Sequence, residues 1–410
     1  MNLKKIDNEI FDLIKKEQNR QENEIELIAS ENYTSKAVLE AMSSVLTNKY
    51  SEGYFKKRYY GGNQYIDEIE NLAINRAKEL FSAEHVNVQP LSGSPANAAV
   101  YMAFLKPNDK VLGLKLDHGG HLSHGHNVNF SGQLYNFVQY GVDLESGRIN
   151  MDEVRKIALK EKPKMIIAGF SAYSRNIDWN KFKEIALEVN AFTFADIAHI
   201  AGLIAGKVLE NPVPLFDVVS TTTHKTLRGP RGAIIMCKEK YAKEVDRAVF
   251  PGMQGGPHNH INAAKAVCFK EAASKDFQVY CKQVILNAKK FVNILKELDY
   301  KIISDGTDNH LFVLDLSNKN ISGKEAEKLL EIVGISVSRS TILNDPRPPY
   351  NPSGLRLGTA AITTRGFKEE EVEKIAFLID KAIKNKNSET ELKNIKKEVN
   401  KLCLKHPLRY

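Results

Sequence analysis

A chain of 410 residues with 42% apolar and 26% charged side chains has the length for two or three domains around a substantial core, which excludes a disulfide-stapled miniprotein, a fibre and a wholly disordered chain. Its 58 Lys and Arg against 50 Asp and Glu leave a net charge of +8, but nine basic residues against three Glu lie between 381 and 410, so +6 of the +8 falls in the last thirty residues. There Leu392, Ile395, Val399 and Leu402 share one helical face, which makes the charge the solvated side of an amphipathic helix and argues against nucleic acid as a partner.

At the N-terminus, helix-spaced Leu3, Ile6, Ile10, Leu13 and Ile14 alternate with Lys4, Lys5, Asp7, Glu9, Asp12 and Glu17, a pattern of neither a secretory signal nor a transit peptide. No apolar run reaches the roughly 18 residues of a membrane span, and a cytoplasmic protein without membrane partners is expected. Asp67 is expected to cap a helix in which Ile69, Leu72, Ala73, Arg76, Ala77 and Leu80 keep the helical period. Strands are expected at 110–116, 165–170, 191–195, 216–220 and 233–237, with helices at 152–159 and 179–189. That alternation is the βαβ order of a parallel sheet covered on both faces, an α/β domain. One long helix, about 263–298, then leads to strands 311–316, 335–337 and 354–358, a helix at 323–333 and terminal helices, which describe a smaller α+β domain. Cys237, Cys268, Cys281 and Cys403 form no CxxC pair, so reduced thiols and no structural zinc are expected.

Ligands of open parallel sheets bind beyond the carboxyl ends of the strands, and four such places carry reactive residues. The 216–220 strand runs into Thr221, Thr222, Thr223, His224 and Lys225, followed by Thr226, Arg228 and Arg231. The neighbouring cations are expected to lower the lysine pKa and leave an amine able to form a Schiff base, while the hydroxyls suit a phosphate; an ordinary surface lysine is the alternative. The 191–195 strand ends in Asp196, three residues before His199. A carboxylate behind apolar residues needs a cation, such as a protonated pyridine nitrogen, or else caps the next turn. Ser92, Gly93 and Ser94 before Pro95 place free N–H groups at a helix start, an anion site or an ordinary cap. Four of the eleven histidines, His118, His121, His124 and His126, follow the 110–116 strand. No cysteine or acidic cluster completes a zinc set there, and an imidazole stacked on an aromatic cofactor, approached past Gly119 and Gly120, fits better. Lysine, carboxylate, phosphate cradle and stacking histidine together ask for pyridoxal phosphate.

The stretches ELIASENYTS (26–35), LTNKYSEGYFKKRYYGG (46–62), HGGHLSHG (118–125), DIAHIAG (196–202), TTTHKTLRGPRG (221–232), VFPGMQGGP (249–257) and 355–362 closely resemble the serine hydroxymethyltransferase family, over residues 24–367. The resemblance implies a fold-type-I pyridoxal phosphate transferase: an N-terminal helical arm (1–45), a large domain with a mostly parallel seven-stranded sheet (46–279) and a small C-terminal domain (280–410). It implies reversible transfer of the serine hydroxymethyl carbon to tetrahydrofolate, giving glycine and methylenetetrahydrofolate, by a homodimer with shared active sites or a pair of such dimers. Lys225 then resembles the Schiff-base lysine, Asp196 the pyridinium partner and His121 the ring stacker. Gly93 and Ser94, with Thr222 beside them and Tyr50 and Gly256 from a second copy, resemble phosphate ligands, and His199 and Ser171 lie against the cofactor's oxygen and ring edge. Arg356 resembles the clamp on the substrate carboxylate, helped by Ser30; Glu52, flanked by Tyr60, matches the acid/base carboxyl, and His224 belongs with the catalytic set. Leu116, Gly120, Leu122 and Ser340 would meet the folate. Ser338, Arg339 and Ser340 stand where the family usually carries Asn-Lys-Asn, Leu91 where His is frequent and Pro95 where Gln or Ala is common, departures that bear on folate rather than on pyridoxal chemistry. A folate-independent aldolase acting on 3-hydroxy amino acids is the alternative.

Overall fold

The computed structural model describes residues 2–408. Its large sheet has seven strands, β1 (His85–Asn87), β2 (Lys110–Leu114), β3 (Asn136–Tyr140), β4 (Met165–Gly169), β5 (Phe192–Asp196), β6 (Val218–Thr222) and β7 (Ala233–Cys237), in the spatial order β1-β7-β6-β5-β4-β2-β3. β7 runs antiparallel to β1 and β6; the remaining pairs are parallel. Every residue of β4, β6 and β7 is buried, as strands covered by helices on both faces require. The two edge strands are absent from the sequence expectation for physical reasons. β1 has three residues, and β3 carries Asn136 and Gln139 and is only partly covered, so neither reads as an apolar run.

Helix Gln64–Phe81 starts three residues before Asp67, because the Asp67 carboxylate is held by the Arg58 guanidinium and the Lys56 amide instead of capping a first turn. The single helix expected at 263–298 is two, Asn259–Ala272 and Lys275–Glu297; Ser274 caps the second by accepting from the Phe277 amide. Both halves keep the apolar period, so the break is invisible to periodicity.

The smaller sheet is antiparallel, with β8 (Lys301–Ile302), β9 (Leu311–Asp315), β10 (Ser338–Ser340) and β11 (Gly354–Gly358) in the order β8-β9-β11-β10. The strand expected at 335–337 is only Ile335–Ser336, and it pairs in parallel with Ile25–Glu26 outside this sheet. Ile25 and Leu27 thereby join the core formed by the C-terminal helices. Leu392, Ile395, Val399 and Leu402 are buried on one side of helix Glu389–Lys405, as their spacing predicts. All four cysteines are buried free thiols. Among the described residues no helix is long and apolar enough to cross a membrane. Helix Asn8–Asn23 buries no residue, and Ile6, Ile10, Leu13 and Ile14 stand exposed.

Candidate active site

Asp196 ends β5 at the carboxyl edge of the sheet, buried. Its Oδ2 accepts from Asn97 Nδ2 at 2.8 Å and lies 3.1 Å from His124 Nε2, and its Oδ1 accepts from the Ala198 amide at 3.1 Å. The carboxylate therefore caps the next turn and anchors a polar network at once. Burial works against its ionisation, but the hydrogen bond and electrostatic pull of the His124 ring, the pull of His121 and the Asn97 amide outweigh it and hold the carboxyl well below the usual range. Asn97 Nδ2 also reaches Ser123 Oγ at 2.9 Å, and Asn97 Oδ1 accepts from Ser220 Oγ at 2.7 Å. Ser123 Oγ is 2.7 Å from His121 Nδ1, which steadies that ring. Burial pushes His121 down to about 4, so its imidazole is neutral at neutral pH.

The histidines of the 118–126 stretch diverge: His118 Nδ1 accepts from the Val142 amide at 3.0 Å while His124 points at Asp196. The glycines among them answer to the chain's own packing rather than to an approaching ring. A Cβ on Gly120 would lie 2.2 Å from the Leu114 carbonyl oxygen, and Gly119 has φ +99° against the Ala172 backbone.

Lys225 follows β6 and is buried; among the described residues its Nζ has no hydrogen-bond partner. Its amine is pushed down to about 8 by burial first, against the pull of Asp196, with the charges of Arg356 and Arg231 adding to the fall. The flanking Arg231 lowers it as expected, but burial is the larger cause. Arg228 is turned away over the Tyr280 ring, 4.4 Å from its centroid. Beside Thr222, helix Gly93–Phe104 begins without a side-chain cap from Ser92, so the Gly93 and Ser94 amides are free to meet an anion. A Cβ on Gly93 would stand 2.9 Å from Thr222 Cγ2, which leaves the floor of that cradle open only to glycine. Pro95 is the third helical residue. His224, with Nδ1 3.5 Å from the Gly232 amide, is pushed down to about 3 by burial.

His199 is buried, and its Nδ1 lies 3.4 Å from His310 Nε2, itself 3.1 Å from the Ala29 carbonyl oxygen. Burial keeps both rings neutral. Arg356, in β11, donates from Nη1 to the Ser171 carbonyl at 2.9 Å and the Ser171 hydroxyl at 3.1 Å, while its buried Nε has no partner. Burial pushes this guanidinium down to about 10, and among the described residues no carboxylate pairs with it. Ser30 adjoins Ala29, whose Cα would lie 2.5 Å from a Cβ on Gly358, so the N-terminal segment rests against the end of the strand bearing Arg356.

Tyr50, Glu52, Tyr60 and Gly256 form a second cluster. The Tyr50 and Tyr60 rings meet edge to face at 5.3 Å; a Cβ on Gly256 would lie 3.1 Å from the Tyr50 ring, and one on Gly255 2.9 Å from Glu52 Oε1. Tyr50 is 56% and Tyr60 50% exposed, and no hydrogen bond links them to Lys225 or Asp196. Of the four expected folate residues, Leu116 and Ser340 line one small cavity between the two sheets with Thr341 and Leu343. Leu122 stands exposed outside it, and Gly120 is held by its amide on the Lys115 carbonyl at 2.8 Å. Asn97 and His310 are the site residues that sequence reasoning missed. Asn97 lies one helical turn after Ser94, a spacing that could have pointed to it.

Pyridoxal phosphate requires an amine for its aldehyde, an anion site for its phosphate and a fixed negative charge for its ring nitrogen. The unpartnered Lys225, the uncapped start at Gly93 and the ionised Asp196 fit those three demands, with the guanidinium of Arg356, its Nε unpartnered, close enough to act on the Lys225 amine. On a mostly parallel sheet of this order, that fit defines a pyridoxal-phosphate-dependent enzyme of fold type I. The family model for serine hydroxymethyltransferase matches residues 3–379, and the chain belongs to that family. It is a one-carbon transferase that interconverts serine and tetrahydrofolate with glycine and methylenetetrahydrofolate, with pyridoxal phosphate as its cofactor.

Proposed function

We propose that Lys225, Asp196 and Arg356 divide the work of this reaction among them. The observation that carries the reading is a half-buried guanidinium that has a buried, unpartnered Nε and no counter-ion, and that lies close enough to lower the pKa of a buried amine. A partly desolvated cation with an unpartnered N–H gains when an anion joins it, and the planar fork matches a carboxylate. Arg356, helped by Ser30, fixes the serine carboxylate; Ser171 steadies the fork. Lys225 would hold the aldehyde of the cofactor, and the burial that lowers its pKa enlarges the share of it present as the free, reactive amine. Bound pyridoxal phosphate supplies the electron sink. Asp196, ionised throughout the neutral range, would keep a proton on the ring nitrogen of the bound cofactor; His121 would cover its ring face, His199 would meet its oxygen, and Gly93, Ser94 and Thr222 would hold its phosphate. Glu52, beside Tyr60 and with His224 nearby in the sequence set, handles the proton at the serine hydroxyl. Leu116, Gly120, Leu122 and Ser340 receive the folate. Residues 46–279 then serve as the cofactor domain, 280–410 as the small domain and 1–45 as the arm.

The same reading includes a homodimer. Tyr50, Glu52, Tyr60 and Gly256 cluster at the surface, apart from Lys225, and the stripe Ile6, Ile10, Leu13 and Ile14 lacks a cover; a second copy bringing its Tyr50 and Glu52 to the first copy's Lys225 answers both. Mixing inactive Lys225→Ala and Glu52→Gln proteins tests it. Random reassortment of a shared-site dimer restores about a quarter of the sites, whereas sites built from one chain restore none. Glycine formation from serine with and without tetrahydrofolate tests the chemistry: an aldolase would not need the folate.

A further inference from the structure

Arg58 holds the backbone on both sides of Glu52. Its buried guanidinium donates from Nε to Asp67 Oδ1 and from Nη2 to Glu70 Oε1, each at 2.9 Å. The remaining nitrogen, Nη1, donates to the Ser51 carbonyl at 3.0 Å and to the Gly53 carbonyl at 2.7 Å. Gln89 Nε2 reaches the same Gly53 oxygen at 2.9 Å and Glu70 Oε2 at 3.1 Å. The Tyr59 amide takes the Glu52 carbonyl at 3.1 Å. Three successive carbonyls are thus fixed around a residue whose own carboxylate makes no hydrogen bond among the described residues. The turn closes only with glycine: Gly53 has φ +96°, and a Cβ there would lie 2.2 Å from the Lys57 carbonyl oxygen.

A guanidinium buried between two carboxylates contributes little net stability, since desolvation offsets most of the attraction. What this one does contribute is geometry, because its fork ties helix Gln64–Phe81 to the 51–53 turn. We propose that Arg58, braced by Asp67, Glu70 and Gln89, is the positioning residue of Glu52, setting the direction from which that carboxyl meets the serine hydroxyl. The inference rests on Glu52 being the acid/base group.

The test is a double-mutant cycle on the holoenzyme. Arg58→Lys keeps a cation beside Asp67 and Glu70 but cannot span both carbonyls. It should lower kcat for glycine formation by about 100-fold, the scale set by a misplaced catalytic group, while serine KM and the visible absorbance of the bound cofactor stay at parental values. In the Glu52→Gln background the same substitution should cost nothing further. Fully additive losses, or an unchanged kcat in Arg58→Lys beside an impaired Glu52→Gln, would overturn the positioning role alone. An unimpaired Glu52→Gln would overturn the acid/base reading and the positioning role with it. Should Arg58→Lys fail to fold, Gln89→Met decides: it removes one donor to the Gly53 carbonyl, and a smaller fall in kcat at constant KM supports the role whereas an unchanged kcat overturns it.

Discussion

Arg356 reaches Ser171 twice through one nitrogen, at 2.9 Å to the carbonyl and 3.1 Å to the hydroxyl, and leaves its Nε buried and unpaired. Ser171 lies just beyond β4 of the large sheet, and Arg356 lies in the middle of β11 of the small one, so a single guanidinium bridges the two halves with one edge still open. An arginine so placed is held by the protein on one side, and the proposed serine carboxylate would meet it on the other.

Replacing Arg356 with Ala should therefore weaken serine more than it weakens chemistry on bound serine. A charge-assisted contact is worth about 2 kcal/mol, which raises KM roughly thirtyfold. Arg356→Lys should recover only part of this, because a point charge cannot copy the fork. Steady-state kinetics at saturating folate read the split; a serine KM near the parental value in Arg356→Ala would mean that another group holds the carboxylate.

Lys225 supplies a pH prediction. With its amine pushed down to about 8, the reactive uncharged form of the cofactor-free protein grows as pH rises from 6 to 9, with its midpoint near 8. The rate at which cofactor-free protein gains visible absorbance on adding pyridoxal phosphate should follow that rise. A midpoint in the ordinary lysine range would contradict the burial argument. Lys225→Ala should show neither the rise nor multiple turnover, and borohydride reduction followed by peptide mapping should find the label on Lys225.

Asp196 and Lys225 stood out in the sequence because Asp196 follows an apolar run directly and Lys225 comes just past the hydroxyl residues that end another, and strand ends are where open sheets bind ligands. Asn97 was not: its partners, Asp196 and Ser220, lie 99 and 123 residues further along the chain. They meet it only because the sheet order puts β5 beside β6 above the helix that bears it. His310 was hidden for the same reason, since its contact with His199 depends on how the small sheet meets the large one. The dominance of burial over cationic neighbours at Lys225 was likewise out of reach, because composition names the nearby charges but not which of them, like Arg228 on Tyr280, turn away.

The acid side of the pH profile follows from the buried network. Asp196 is held well below the usual carboxylate range, so it stays ionised above pH 5, and His121, at about 4, stays neutral there. Neither changes charge between pH 5 and 7. Asp196→Asn should lower kcat roughly 100-fold or more, as loss of a fixed transition-state charge does, yet leave the shape of the kcat/KM profile in that range unaltered. An inflection between pH 5 and 7 that disappears in Asp196→Asn would show that this carboxyl titrates there after all.

Ser340 sets the last prediction. It lines the cavity shared with Leu116, but its hydroxyl donates to the neighbouring Thr341 carbonyl at 3.1 Å, and Ser338 Oγ donates to the Arg356 carbonyl at 3.3 Å. Both short side chains are therefore occupied by local backbone and reach less far than the amides that family members usually place there. Ser340→Asn should add one neutral hydrogen bond to the pterin, worth about 1 kcal/mol, and lower the tetrahydrofolate Kd roughly fivefold. Serine affinity should not move, because the determinants proposed for it are Ser30, Lys225 and Arg356, and Ser340 pairs in register with Gly354 rather than with Arg356. Calorimetry with each ligand separates the two effects. An unchanged folate Kd would mean that another group, with Asn344 nearest in sequence, already satisfies the pterin edge.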